Sequence, residues 1–220
     1  NKAYVNANAA PPTITGLGNE AVTITDTSIN ASALITLDAF TTGVVTAATV
    51  TTITGTFAEI NALYALGANG TITGLGNEAI TISGILTVAQ ANTLAAQTTG
   101  VLTATISDGD MATLAGLTET GNAYTMTVTD ASVSASALNT LNAKTTGVVT
   151  VQATTITGTA VDISAAYAAN DAGTITGLGN EAVTITDTSI NASVLITLDA
   201  FTSGIINASS ITNLTGSNPI

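Results

Sequence analysis

Apolar residues recur at helical spacing in seven short stretches of the chain. Each stretch holds an anchor, Leu37, Leu63, Leu94, Leu114, Leu141, Ala166 or Leu198, and three residues earlier stands Leu34, Ile60, Ala91, Met111, Leu138, Ile163 or Leu195. Such a pair is the stripe of a helix that shows one face to a core. Seven residues before each anchor stands Asn30, Thr56, Thr87, Ser107, Ser134, Thr159 or Asn191. All are residue types whose side-chain oxygen accepts from the unpaired amides of a first helical turn. Four stretches add Glu59, Gln90, Asp110 or Asp162 three residues after this position, which predicts capping boxes. Between the helical stretches β-branched residues alternate with threonine, as in Val22-Thr23-Ile24-Thr25, and this period of two predicts short strands with one buried face.

The helices anchored at Leu37, Leu94, Leu141 and Leu198 stop at Thr-Gly or Ser-Gly. Gly43, Gly100, Gly147 and Gly204 stand where left-handed C-caps are expected. The other helices lead into Gly-Asn linkers. Leu17-Gly18-Asn19-Glu20 suits a corner between parallel strands or a two-residue hairpin turn, and the corner is favoured because it preserves parallel stacking.

Residues 13–43 recur at 174–204 with two changes, Ala33 to Val194 and Thr42 to Ser203, so part of the chain is duplicated. Short strands and one short helix, repeated with caps in register, predict an α/β repeat solenoid of about seven coils with parallel strands. Parallel strands stack ~4.8 Å apart whereas helices pack at ~8 Å or more, so the stack should be curved or twisted. The expected organisation is a single solenoid over 13–216. Residues 1–12, with Pro11-Pro12, are read as an extended N-terminal arm or leader, and 217–220 as a tail.

Composition narrows the chemistry. The 220 residues include 46 Thr and 38 Ala, a bias that fits a repeat. Cys, His, Arg and Trp are absent, and the only cations are Lys2 and Lys144. Disulfides, thiolate or imidazole metal sites, His-based triads and Arg clamps are thereby excluded, and the chain is expected to be no enzyme. A net charge of −12 disfavours nucleic acid and anionic membrane surfaces as partners. Mean hydropathy is +0.50, yet polar residues interrupt every apolar run short of the ~18 residues of a membrane span, so no membrane insertion is expected. The opening Asn1, with no signal-peptide core behind it, suggests a processed or excised piece.

Leu86-Thr87-Val88-Ala89-Gln90-Ala91-Asn92-Thr93-Leu94, Thr98-Thr99-Gly100-Val101-Leu102-Thr103-Ala104-Thr105-Ile106 and Thr155-Ile156-Thr157-Gly158-Thr159 resemble the Thr/Ala-rich repeats of very large secreted or cell-surface proteins of cyanobacteria, especially marine ones. The resemblance covers roughly residues 13–206 and implies an extracellular or cell-surface role that is structural, adhesive or motility-related. Some of those proteins carry calcium-binding nonapeptides. The Gly-Gly-x-Gly-x-Asp motif does not occur here, so their calcium sites carry over to no residue of this chain.

Asp108 and Asp110, beside Ser107, are calcium candidates, since carboxylates are hard oxygen ligands. The favoured reading makes them helix-start carboxylates that suit the dipole. Glu20, Glu78 and Glu181 share one repeat position, and Asp26, Asp130 and Asp187 another. They are read as solvated charges along strand edges, with cation-holding ladders the alternative. The Thr-x-Thr runs at 23–25, 52–54, 125–127, 155–157 and 184–186 offer hydroxyl rows, as ice-binding solenoids do, although threonine is also a common residue on a wet strand face. No catalytic residue and no cofactor other than possible calcium is expected. The function class is a structural module, a homo-oligomer or a neighbour of further repeats that forms filaments; a binding module for cation, glycan or ice is the alternative.

Overall fold

The computed structural model describes residues 2–8, 10 and 14–216. It is a mixed α/β fold with parallel sheets. The chain divides into two compact units, residues 1–86 with 90–104 and residues 87–89 with 105–220. In chain order the first holds α1 (Lys2–Ala7), β1 (Val22–Thr23), β2 (Ser28–Asn30), α2 (Ala31–Asp38), β3 (Val45–Thr46), β4 (Thr52–Gly55), α3 (Phe57–Asn69), β5 (Ile72–Thr73) and β6 (Ala79–Leu86). Two elements carry residues of both units, α4 (Val88–Ala95) and β7 (Leu102–Ile106). The second unit continues with α5 (Met111–Leu114), β8 (Ala123–Val128), β9 (Ser132–Ser134), α6 (Ala135–Asn142), β10 (Val149–Val151), β11 (Thr155–Gly158), α7 (Ala160–Asp171) and β12 (Ile175–Thr176). It ends with β13 (Ala182–Ile185), β14 (Ser189–Asn191), α8 (Ala192–Asp199), β15 (Ile206–Asn207) and β16 (Asn213–Thr215).

Strands that recur along the chain pair in parallel, and their apolar residues fall opposite one another. In the first unit Val22, Val45 and Ile72 form one row and Ile29, Ile53 and Ile80 another. In the second, Met126, Val149 and Ile175 form a row, and so do Val133, Ile156, Val183 and Ile206. Aliphatic side chains one rung apart exclude water from each other, which makes these rows the strand half of the core. The helices supply the rest, with Leu34, Ile60, Leu63, Leu94, Leu138 and Ile163 fully buried. Met111 and Leu195 of the predicted stripe remain half-buried.

All seven anchors lie in helices, α2 to α8. Those of the first class, α2, α4, α6 and α8, have 8 residues each, whereas α3, α5 and α7 have 13, 4 and 12. Asn30, Thr56, Ser134, Thr159 and Asn191 are N-caps, and Thr56 with Glu59 closes a reciprocal capping box. For α5 the cap is Asp110, not Ser107, because this helix is a single short turn and starts later than a uniform spacing implies.

The glycines expected as left-handed C-caps are not. Gly43, Gly100, Gly147 and Gly204 have no positive φ, and α2, α6 and α8 close on right-handed Ala39, Ala143 and Ala200. Their smallness answers to a close approach: a Cβ on Gly43 would lie 2.3 Å from the Glu20 carbonyl oxygen, and on Gly100 2.2 Å from that of Glu78. The Gly-Asn linkers are corners between parallel ladders, since β5 pairs with β3 and β6 with β4. Gly74 turns this corner at φ 83, and a Cβ there would also meet the Ala48 amide at 2.7 Å.

The N-terminal stretch differs from the extended arm expected of it. Residues 2–7 are helical, with Tyr4 buried and stacked on Phe40 at 5.5 Å between ring centroids. Tyr167 of α7 stacks on Phe201 at 5.2 Å, so α1 holds a place like that of the longer helices. Burial of one aromatic side chain gives a six-residue helix the tertiary support that its own hydrogen bonds cannot. Pro11, Pro12 and the 217–220 tail lie outside the described residues.

Candidate functional site

Several polar residues that recur along the chain make contacts between neighbouring segments. Glu78 is fully buried: it accepts from the Tyr64 hydroxyl at 2.8 Å, and from the Gly76 amide on both carboxylate oxygens at 2.8 and 3.0 Å. Glu181 is held in the same way by Tyr167, Gly179 and Asn180. Glu20 accepts from the amides of Gly18 at 2.8 Å and Asn19 at 3.0 Å. The Tyr4 hydroxyl beside it, followed by the Gly18 amide, holds the Glu20 carboxyl down to about 2. Burial and the facing carboxylates push the Tyr64 and Tyr167 hydroxyls up. Glu78 and Glu181 are therefore not solvated edge charges, since they are buried against hydroxyl and backbone donors, whereas Glu20 is half-buried and its amide bonds fall on Oε2 alone. A tyrosine partner is absent from the sequence expectations; its signal is the spacing, since Tyr64 and Tyr167 each precede their glutamate by 14 residues.

A second recurring contact uses threonine. Thr41 donates to the Glu20 carbonyl at 2.6 Å and accepts from the Gly43 amide at 3.0 Å. Thr98, Thr145 and Thr202 repeat the arrangement on Glu78, Tyr124 and Glu181. The hydroxyl thus ties the strand start of one repeat to the helix end of the next. Its neighbouring glycine allows the two backbones to meet.

Aspartates form the third contact. The carboxylate of Asp187 accepts from the Ala160 amide at 2.7 Å and that of Asp130 from the Met111 amide at 2.8 Å, so each caps the helix of the preceding repeat. Asp108 does the same for Val88 at 2.6 Å, and Asp110 caps its own helix through the Thr113 amide at 2.8 Å. The two calcium candidates are thus engaged at the starts of two different helices. Among the described residues no group of three or more His, Cys, Asp or Glu side chains could hold a metal ion. Asp26, at the same repeat position as Asp187, is exposed, and none of the described residues bonds its carboxylate. Lys144 donates to the carbonyls of Ala115, at 2.8 Å, and Leu117, at the end of α5 rather than of its own helix.

The Thr-x-Thr runs do not stack on one another as continuous threonine rows: 52–54 lies opposite Ser28 and Asn30, and 155–157 opposite Ser132 and Ser134, whereas Thr23 and Thr127 join rows with threonines outside the runs. Thr23, Thr46 and Thr73 lie opposite one another, with the Thr73 hydroxyl 3.5 Å from that of Thr46. Thr127, Thr150 and Thr176 form a second row, with 3.2 Å between the last two hydroxyls. Among the described residues no helix is long and apolar enough to cross a membrane. No protein-family model, curated protein or solved structure matches this chain.

Proposed function

We propose that this chain is a non-enzymatic structural repeat module of an extracellular or cell-surface assembly. It forms a single α/β solenoid over about residues 13–216, and its ends stack on further copies as a filament or on neighbouring repeats of a giant surface protein. The observation that carries this reading is the recurring set of inter-repeat bonds. Glu78 and Glu181 are buried on tyrosine and backbone donors, the Thr41-type hydroxyls bridge repeats, and Asp130 and Asp187 cap helices across repeats. Side chains that would be free for chemistry in an enzyme serve stacking here. The resemblance to cyanobacterial surface repeats points the same way, and the reading assigns no cofactor and no catalytic residue. Negative-stain micrographs of concentrated protein should show filaments, and aligned filaments should diffract at ~4.8 Å along their axis, the spacing of stacked parallel strands. Isolated compact particles at every concentration would overturn it.

The threonine rows support a second reading, a binding module for ice, glycan or cation. The row Thr23, Thr46 and Thr73 sets hydroxyls at regular rung spacing with Thr23 and Thr73 exposed. Thermal hysteresis of freezing, or a melting temperature that rises with calcium, would favour this reading over the first.

A further inference from the structure

Among the described residues, the near-identical segments 14–43 and 175–204 each have one covered side and one open side, and the open sides are opposite. On its leading side the second copy is paired: β13 lies against β11 with Val183 opposite Ile156, and the Thr186 amide donates to the Gly158 carbonyl at 2.9 Å. Val183 and Ile190 are buried there, and Asp187 caps α7. The equivalent Val22 and Ile29 of the first copy are only half-buried, β1 ends its ladder, and Asp26 is exposed. Tyr4, Val22, Ile24, Asp26, Ile29 and Leu37 line a groove on this side. Tyr4 stacks on Phe40 as Tyr167 of α7 stacks on Phe201, so α1 fills the later turns of an α7-like helix. The groove beside it is the place that the first turns of α7 take in the second copy.

The trailing side is the converse. On this side of the first copy Leu34 and Val45 are buried, Thr71 donates to Asp38 at 3.2 Å, and Ile53 lies in a ladder with Ile80 at 0% exposure. In the second copy the equivalent Leu195 and Ile206 are half-buried, Leu214 is 58% exposed and Ile196 70%. Leu214 sits on β16, the end of its ladder. An open strand edge carrying aliphatic side chains is a template for another strand. Moreover, Asn213-Leu214-Thr215-Gly216 repeats the place in the sequence of Thr155-Ile156-Thr157-Gly158, the strand that covers the second copy's leading side.

We infer that the trailing edge of one molecule pairs with the leading edge of a second copy in the register that 155–158 already uses with 182–185. Residues 213–216 then lie opposite 21–24 of the next copy, Leu214 covers Val22, and Asp26 takes the position from which Asp187 caps a neighbouring helix. The contact is head-to-tail and propagates as an open filament unless its rotation closes a ring. This inference rests on the end-to-end stacking proposed above and specifies its register.

Thr157 and Thr184 lie directly opposite each other, and their equivalents at the junction are Thr215 and Thr23 of the next copy. The chain has no cysteine, so a pair introduced there reports the contact without competing thiols. Residues opposed on adjacent strands are ~4.8 Å apart, within the ~4.4–6.8 Å span of a disulfide. Thr23→Cys and Thr215→Cys proteins, mixed and oxidised, should form a covalent dimer at least tenfold more readily than Thr25→Cys with Thr215→Cys. The double variant Thr157→Cys/Thr184→Cys, which should close within one chain, calibrates the yield. Assembly by light scattering with the Thr25→Cys pair linking as well as the Thr23→Cys pair would overturn this register and leave end-to-end stacking intact. No assembly and no cross-link at any concentration would overturn both.

Discussion

At the level of single residues, the buried tyrosine–glutamate pairs are where the chain invests most. A carboxylate leaves water at a cost of several kcal/mol and is tolerated only where donors surround it. Tyr64→Phe removes one of those donors from Glu78 and should cost about 2 kcal/mol in a urea titration, the range of hydrogen bonds to charged groups. Across pH the signs are opposite at the two ends. The Glu20 carboxyl, lowered from 4.5 to about 2, adds stability that is present above pH 4.5 and lost as the pH falls toward 2. Glu59 and Asp110, lowered by their helix-start amides, add to the same loss. The hydroxyl of Tyr64, raised chiefly by burial, adds stability that is present below pH 10 and lost as the pH climbs through its folded value; Tyr124, pushed up to about 12, behaves alike. Melting temperature should therefore hold level from about pH 5 to 9 and fall on both sides. With two lysines there is little positive self-repulsion in acid, so the acid limb reads these carboxylates directly.

At the level of elements, the eight-residue helices and the single turn of α5 draw support from the carboxylate, amide or hydroxyl groups that cap their first turns. Asp187→Ala strips the Ala160 amide of its acceptor and should lower stability by about 1 kcal/mol by urea denaturation. Asp26→Ala, at the same repeat position without a described partner, should leave the stability of the isolated molecule unchanged. The helices were legible in the sequence because their signals are local: an i, i+3 stripe and a cap lie within two turns. Elements that depend on distant partners were not. Tyr64 finds Glu78 on the far side of a corner, and α1 is too short to announce itself without the burial of Tyr4. Thr-Gly after a helix fits both a left-handed cap and a close backbone approach, and only the neighbouring repeat, with its Glu20 carbonyl against Gly43, decides between them. The candidate site was legible as repeat positions for the glutamates and aspartates, but not as contacts: the aspartates meet backbone amides, which no sequence pattern displays, and the tyrosine partners of Glu78 and Glu181 show only as a 14-residue spacing.

At the level of the whole molecule, two opposed forces would govern the proposed association. Exposed Leu214 and Ile205 favour pairing of the trailing edge, at roughly 25 cal/mol for each Å² of apolar surface removed from water. The net charge of −12 resists bringing copies together and is screened within ~8 Å at physiological ionic strength. Stacking should thus strengthen with salt, the reverse of an association held by ion pairs. Static light scattering over a concentration series at low and high salt tests the central claim most directly. The account predicts a mass that rises from 21.5 kDa through its multiples with concentration, sooner in high salt. A constant mass of 21.5 kDa under all these conditions would contradict it.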